Sequence, residues 1–323
     1  MAKHWSTVAE RGSLLGMKIL FWVYRLLGRR ILWLLLFPVV FYFFLTGKAT
    51  RQASRQFLVN VQYSQGNSTA EADVTWFDSL KHFCSFADAA FDKLDAWLGQ
   101  IPVSNIDYHP TGVMENIAQQ QRGAVFIGSH LGNLEVCRAL SQGRYNTPIN
   151  VLVFTENAVK FNQILQQVNP NVSVNLVQLT DIGPELAISL KEKVDQGEII
   201  VIVGDRTSIS VAGRVIYAPF LGVPAPFSQG PFILAALLAC PVYWLFCLKD
   251  KSRYQVIFEH VSDGISLPRK QREQVLTSLV EQYASRLSYH AARYPLQWFN
   301  FYDFWQQDAS SERKQLVEKN VSE

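Results

Sequence analysis

From residue 101 onward the chain sets short apolar runs between stretches of helical periodicity. The strand candidates are 123–128 (GAVFIG), 149–155 (INVLVFT), 173–179 (SVNLVQL), 198–203 (EIIVIV), 241–248 (PVYWLFCL) and 254–261 (YQVIFEHV). Between and after them, 133–142, 157–168, 184–196, 231–239 and 269–293 read as helices. GAVFIG and EIIVIV do not alternate apolar with polar residues. That is the pattern of strands buried on both faces, and it constrains the fold more than any other feature. The expectation is an α/β fold, a layered αβα arrangement with a mostly buried sheet. With 49% apolar residues in 323, the chain can fill such a core.

Ahead of this unit lies a different kind of sequence. Ile31 to Thr46 reads ILWLLLFPVVFYFFLT and carries no charge. Sixteen residues fall short of the ~20 that cross a bilayer as a helix. Arg25, Arg29 and Arg30 stand before the run, and Lys48, Arg51 and Arg55 after it. Three pictures fit: one tilted span, a hairpin that dips in and returns around Pro38, or a buried core helix. Residues 1–55 hold nine Lys/Arg against the single acid Glu10, while the rest of the chain is mildly acidic. A basic, aromatic-rich start suits an anionic membrane surface. The net charge of +3 gives no reason to expect nucleic acid.

Residues 48–100 read as amphipathic helices broken at Gly66 to Thr69. The expected organisation is therefore a leader and anchor over 1–47, a helical layer over 48–100, an α/β unit over 101–306 and a charged tail over 307–323. Cys84, Cys137, Cys240 and Cys247 sit among apolar residues, which fits free thiols in a reducing compartment. Cys and His never cluster at zinc-ligand spacing, so no metal and no cofactor are expected.

In open α/β sheets, ligands bind at the carboxyl ends of strands. Three polar features fall there: His130 after GAVFIG, Asp205 and Arg206 after EIIVIVG, and the Gly/Pro-rich stretch 220–231, read as a shaped loop. His130 and Glu135 lie five residues apart. On a regular helix that spacing rotates ~500°, about 140° away from a shared face. They can meet only if His130 lies in a turn and Glu135 in the first turn of a helix. Gly132 permits such a backbone, and Asn133 can cap the helix. From the residues alone, a structural turn histidine remains open beside a catalytic dyad. For Asp205 and Arg206 a local salt bridge remains equally open. His4, His82, His109, His260 and His290 read as surface or core histidines. The chain has no G-x-S-x-G elbow, Walker loop or G-x-G-x-x-G.

Four blocks together resemble a known family. GSHLGNLE, VIVGDRTS, FLGVPAPFSQGP and YPLQWFNFYDFW are similar, in order and across residues 17–306, to the bacterial lipid A late acyltransferases of the lysophospholipid acyltransferase superfamily. Within it, the resemblance points to a subgroup associated with glycolipid or polyene-lipid clusters. It implies transfer of a fatty acyl chain from an acyl carrier protein or CoA thioester to a hydroxyl of a membrane lipid precursor. It also implies a place at the bacterial inner membrane, with the catalytic unit on the cytoplasmic side. The family's His-x4-Asp/Glu motif falls on His130 as general base and Glu135 as its orienting partner. Backbone N–H groups near Gly132 and Asn133 become candidates to hold the oxyanion, as does Arg206, which can instead hold a phosphate beside Asp205. Gly222, Pro224, Pro226 and Gly230 would shape the acceptor loop. The aromatic block would supply packing and an interfacial edge.

One stretch departs from the family pattern. Where many members have an arginine, this chain reads NVLVFTENAVKFN, with Glu156, Asn157 and Lys160. That departure weakens the inference to a lipid A acceptor. A thioesterase or lipase using the same residues, and a non-catalytic lipid-binding membrane protein, are the alternative readings.

Overall fold

The computed structural model describes residues 14–136, 147–153, 175–178, 184–206 and 215–305. Helix α1 (Leu14–Thr46) is two helical segments meeting at Gly28, whose φ of 73° and ψ of 173° break the helical path. The second segment, Gly28–Thr46, runs uninterrupted through Pro38, so the hairpin around Pro38 does not form. Its 19 residues rise about 28 Å, close to the thickness of a hydrocarbon layer. Only 11% of this segment is buried, so it is not the core helix of the third picture. Leu26, Leu34, Leu35, Tyr42 and Phe43 all stand exposed. The guanidinium of Arg51 donates to the carbonyls of Phe44 and Leu45, which meets the acceptors left open at the end of α1.

Helices α2 (Lys48–Ser64), α3 (Ala70–Asp73) and α4 (Trp76–Trp97) follow. Thr75 and Asp78 form a reciprocal capping box at the start of α4. Arg29 of α1 pairs with Asp88, with Asp92 at 2.7 Å and with Asp95 at 3.0 Å, all on α4. One of the basic residues flanking the apolar run is therefore occupied inside the protein.

The sheet is built from β1 (Ile106–His109), β2 (Ala124–Gly128), β3 (Ile149–Val153), β4 (Asn175–Gln178), β5 (Ile199–Val203), β8 (Val242–Asp250) and β9 (Arg253–Ser262). Their order is β1-β9-β8-β2-β5-β3-β4. Every neighbouring pair is parallel except β8 and β9. The six strands expected from sequence are all present, within two residues wherever their ends are described. Strand β1 and helix α5 (Val113–Gln120) were not foreseen; both are short, and neither carries a long apolar run.

Successive side chains of a strand point to opposite faces, and here each face meets its own core. Val125, Ile127, Ile200 and Ile202 join one cluster, with Phe232, Trp244, Tyr283 and Trp298. Ala124, Phe126, Ile199 and Val201 join another, with Met114, Ile117, Tyr254 and Phe258. Helices α7 (Gly230–Leu238) and α8 (Arg272–Arg293) cover the first face. Helix α6 (Pro184–Asp195) joins them there through Leu190 and Val194. The protein is thus a mixed α/β fold around a seven-stranded, mostly parallel sheet, with one apolar helix near its start.

The stretch 220–231 is not a loop. Strands β6 (Val215–Phe220) and β7 (Val223–Ser228) pair antiparallel as a hairpin, and Leu221 and Gly222 make its turn with φ of 53° and 81°. Both central residues are left-handed, as a tight two-residue hairpin requires. The proline content concealed this strand pair. Pro219, Pro224 and Pro226 are tolerated because a two-stranded ribbon has outer edges where no N–H is needed.

Candidate functional site

Strands β2 and β5 are adjacent and parallel, with Gly128 opposite Val203. His130 and Asp205 each lie two residues past those paired positions. The sheet therefore delivers both side chains to one edge, from strands about 4.8 Å apart. The His130 Nδ1–H donates to Asp205 Oδ1 at 2.7 Å, and the His130 backbone N–H donates to Asp205 Oδ2 at 2.7 Å. A carboxylate can only accept here, so the proton sits on Nδ1 and the Nε2 lone pair is left to act as a base. Nε2 makes no hydrogen bond among the described residues.

The partner of the imidazole is thus Asp205 and not Glu135, which corrects the dyad expected from the sequence. Glu135 lies in a 3-10 turn at 134–136, half-buried, with its N–H donating to Asn133 Oδ1 at 3.2 Å. That bond is the cap expected of Asn133.

Asp205 is fully buried, and a buried carboxylate is costly unless donors surround it. Besides the two bonds from His130, Oδ2 accepts from the Trp298 indole N–H at 3.1 Å and from the Asn300 amide at 3.2 Å. Burial pulls the acidity of Asp205 down, but the charge and hydrogen bonds of His130, with Arg206, outweigh it and hold its pKa below the ordinary value. The imidazole of His130 is 24% exposed. Burial, then the positive charge of Arg206, push its pKa below 6.5 against the pull of Asp205. The ring is neutral at pH 7, the state a general base needs.

The loop that carries His130 is held on both sides. On one side the Gly132 N–H donates to the Gln297 carbonyl at 2.8 Å and the Phe299 N–H to the His130 carbonyl at 3.0 Å. On the other, the Asn133 N–H donates to the Cys247 carbonyl of β8 at 2.8 Å. The N–H groups of Gly132 and Asn133, expected as oxyanion donors, are therefore engaged in the scaffold. Gly132 has φ of 78°, and a Cβ there would lie 1.9 Å from the Cys247 oxygen, so no other residue fits.

Arg206 does not close a salt bridge on Asp205. Its Nε–H donates to Asn300 Oδ1 at 3.1 Å, so one amide side chain spans from Arg206 to Asp205. Gly222, Pro224 and Pro226 lie in the hairpin, and Gly230 opens α7. None takes part in the hydrogen bonds around Asp205. The hairpin reaches the site by packing: Phe220 contacts Trp298 with ring centres 5.0 Å apart. Glu156, Asn157, Lys160 and Cys137, the expected helix 133–142 from residue 137 on, the expected helix 157–168, and the tail 307–323 lie outside the described residues.

Sequence reasoning missed Trp298, Asn300 and His82. Trp298 is fully buried, so it is not part of an interfacial edge. A usable signal was present: a buried Asp205 must find donors, and Trp and Asn in the aromatic block are N–H donors. His82 of α4 is a buried histidine, as expected, and its bonds are specific. The Ser54 hydroxyl donates to Nδ1 at 3.0 Å, and Nε2–H donates to the Trp298 carbonyl at 2.9 Å.

A cavity of about 230 Å³ opens beside the loop, against Asp88, Asp92, Gly132, Asn133, Lys249 and Phe299. Lys249 binds Asp88 at 3.1 Å and Asp92 at 2.8 Å, and Arg29 pairs with the same two carboxylates, so two cations face two anions there. No family model matches this chain, and no curated protein matches it.

Proposed function

We propose that this protein is a membrane-anchored acyltransferase of the lipid A late acyltransferase kind. It moves a fatty acyl chain from an acyl carrier protein or CoA thioester to a hydroxyl of a lipid or glycolipid precursor. The observation that carries the reading is an imidazole whose Nδ1 is fixed on a buried carboxylate at a strand end. In the reaction His130 Nε2 takes the proton of the acceptor hydroxyl as its oxygen attacks the thioester carbon. A tetrahedral oxyanion forms, and Arg206 is the cation nearest in sequence to the pair that can stabilise it. The C–S bond then breaks, and the imidazolium returns its proton to the leaving thiolate. The products are an ester and a free thiol. Asp205 stabilises the imidazolium between the two transfers.

The exposed apolar helix α1 supports a bilayer location, with the exposed Arg30 and Lys48 that flank its apolar run at the headgroups. Thioesters of carrier protein and CoA are cytoplasmic, which favours the inner face of the inner membrane. The test uses purified full-length protein, a radiolabelled acyl carrier protein thioester and membrane lipid extract. Wild type is expected to make a labelled lipid, and His130→Ala to make none. Equal transfer by His130→Ala would overturn the reading, and release of free fatty acid alone would make the protein a hydrolase.

A further inference from the structure

Trp298 meets Asp205 and the loop that carries His130 by two different parts of itself. Its indole N–H donates to Asp205 Oδ2 at 3.1 Å. Its backbone pairs antiparallel with Leu131, the residue after His130, and the flanking Gln297 and Phe299 bond Gly132 and His130. One residue therefore sets the position of the carboxylate and of the loop that carries the imidazole. Its ring is fixed by Phe57 of α2 at 4.8 Å, Phe220 at 5.0 Å and Phe304 at 5.1 Å.

The Trp298 carbonyl is fixed in turn from the helical layer. A carbonyl only accepts, so His82 Nε2 carries the proton, and Nδ1 accepts from Ser54. Ser54, His82, Trp298 and Asp205 are each at least 98% buried, so water does not compete for these bonds. The chain Ser54–His82–Trp298–Asp205–His130 runs from α2 through α4 to the strand ends without a gap.

We propose that Trp298 and His82 are positioning residues for the His130–Asp205 pair. Trp298 orients both partners, and His82 anchors Trp298 to the helical layer. The inference rests on the acyltransferase reading for its kinetic consequence, but not for its structural one. Removing the indole N–H takes away a charge-assisted donor, so Asp205 is less firmly held against Nδ1. Binding of the acyl donor does not involve that bond.

The experiment compares wild type with Trp298→Phe, His82→Gln and His82→Leu, all full-length in detergent or lipid. Trp298→Phe keeps an aromatic ring and loses the donor together with part of a fully buried ring, so the Nδ1–H resonance is read beside the rate. His82→Gln keeps an N–H for the Trp298 carbonyl, and His82→Leu does not. Two readouts are taken: kcat and KM for acyl transfer, and the proton resonance of His130 Nδ1–H by NMR, which needs no substrate. Trp298→Phe is expected to lower kcat on the order of tenfold or more with KM unchanged, and to shift the resonance. His82→Leu should do the same and His82→Gln should restore most of the rate. A resonance and kcat unchanged in Trp298→Phe, or equal losses in His82→Gln and His82→Leu, would overturn the proposal. If wild type transfers no acyl chain, the functional reading fails, and the resonance alone decides the positioning role.

Discussion

Asp205→Asn tests the pair most directly, because the substitution keeps the shape and changes only the chemistry. Three donors converge on Oδ2: the His130 backbone N–H, the Trp298 indole and the Asn300 amide. An asparagine will keep its carbonyl oxygen at that position and turn its NH2 toward His130 Nδ1. Two N–H groups cannot face each other, so Nδ1 must become the acceptor and the ring proton must move to Nε2. The atom required as base is then blocked. The imidazolium also loses its counter-charge, worth about 4 kcal/mol at ~4 Å in an effective dielectric near 20. At 1.36 kcal/mol per decade this is about a 10³-fold loss in kcat. Stability should change by only about 1–2 kcal/mol, since every donor on Oδ2 stays satisfied. Single-turnover acyl transfer measures the rate, and 15N NMR of the imidazole reports which nitrogen is protonated. A rate within tenfold of wild type, or an unchanged tautomer, would refute the reasoning. If Glu135→Gln caused the larger loss, the imidazole would be served by Glu135 after all.

Four further outcomes follow from the same geometry. Gly132→Ala places a Cβ 1.9 Å from the Cys247 carbonyl oxygen, so the loop must leave β8. A loss of roughly 3 kcal/mol in stability is expected, and an unchanged melting temperature would contradict the fit. The acid limb of kcat/KM should fall below pH 6.5, because burial and Arg206 lower the pKa of His130 in the folded protein. An inflection above pH 7 would show a protonated resting imidazole. His82 is held at about 4, against 6.5 ordinarily, by burial. The unfolded chain therefore gains a proton below pH 6.5 that the folded one refuses, and stability present above 6.5 is lost as pH falls. Between pH 6.5 and 5 this is about 2 kcal/mol, and denaturant titrations of His82→Gln should lack that loss. Leu34→Lys with Leu35→Lys puts two charges on the exposed apolar face of α1, at about 2.5–3.5 kcal/mol each if the face meets lipid. Vesicle flotation should fall sharply, and undiminished flotation would remove α1 from the bilayer.

The fold was legible where side-chain pattern reports burial directly. AVFIG and IIVIV are apolar at every position because both faces of β2 and β5 are covered, so the sheet could be read without knowing its order. The same logic failed for β6 and β7. Proline and glycine usually mark a loop, but a free-edged hairpin accepts them, and which edges are free is decided by the tertiary fold. Pro38 failed in the same direction. A proline in an apolar run suggested a reversal, yet the chain breaks at Gly28 instead. A helix can continue past one missing N–H, whereas a φ of 73° cannot belong to it.

The site was legible in its histidine and not in that histidine's partner, and the reason is topological. Spacing along the chain could relate His130 only to residues near it, and Glu135 was the acid within reach. The crossover that makes β2 and β5 neighbours brings Asp205 to His130 across 75 positions, and no local pattern encodes that adjacency. What the sequence did contain was the demand for donors. A charge placed just past IIVIVG is going to be buried, and a buried carboxylate needs N–H groups that its own strand cannot supply. The aromatic block supplies them from the far end of the chain, through Trp298 and Asn300. The two blocks are thus halves of one requirement. A second-site test follows from it: Trp298→Phe combined with Asp205→Ala should cost less than the sum of the two changes, because the bond each removes is the same one.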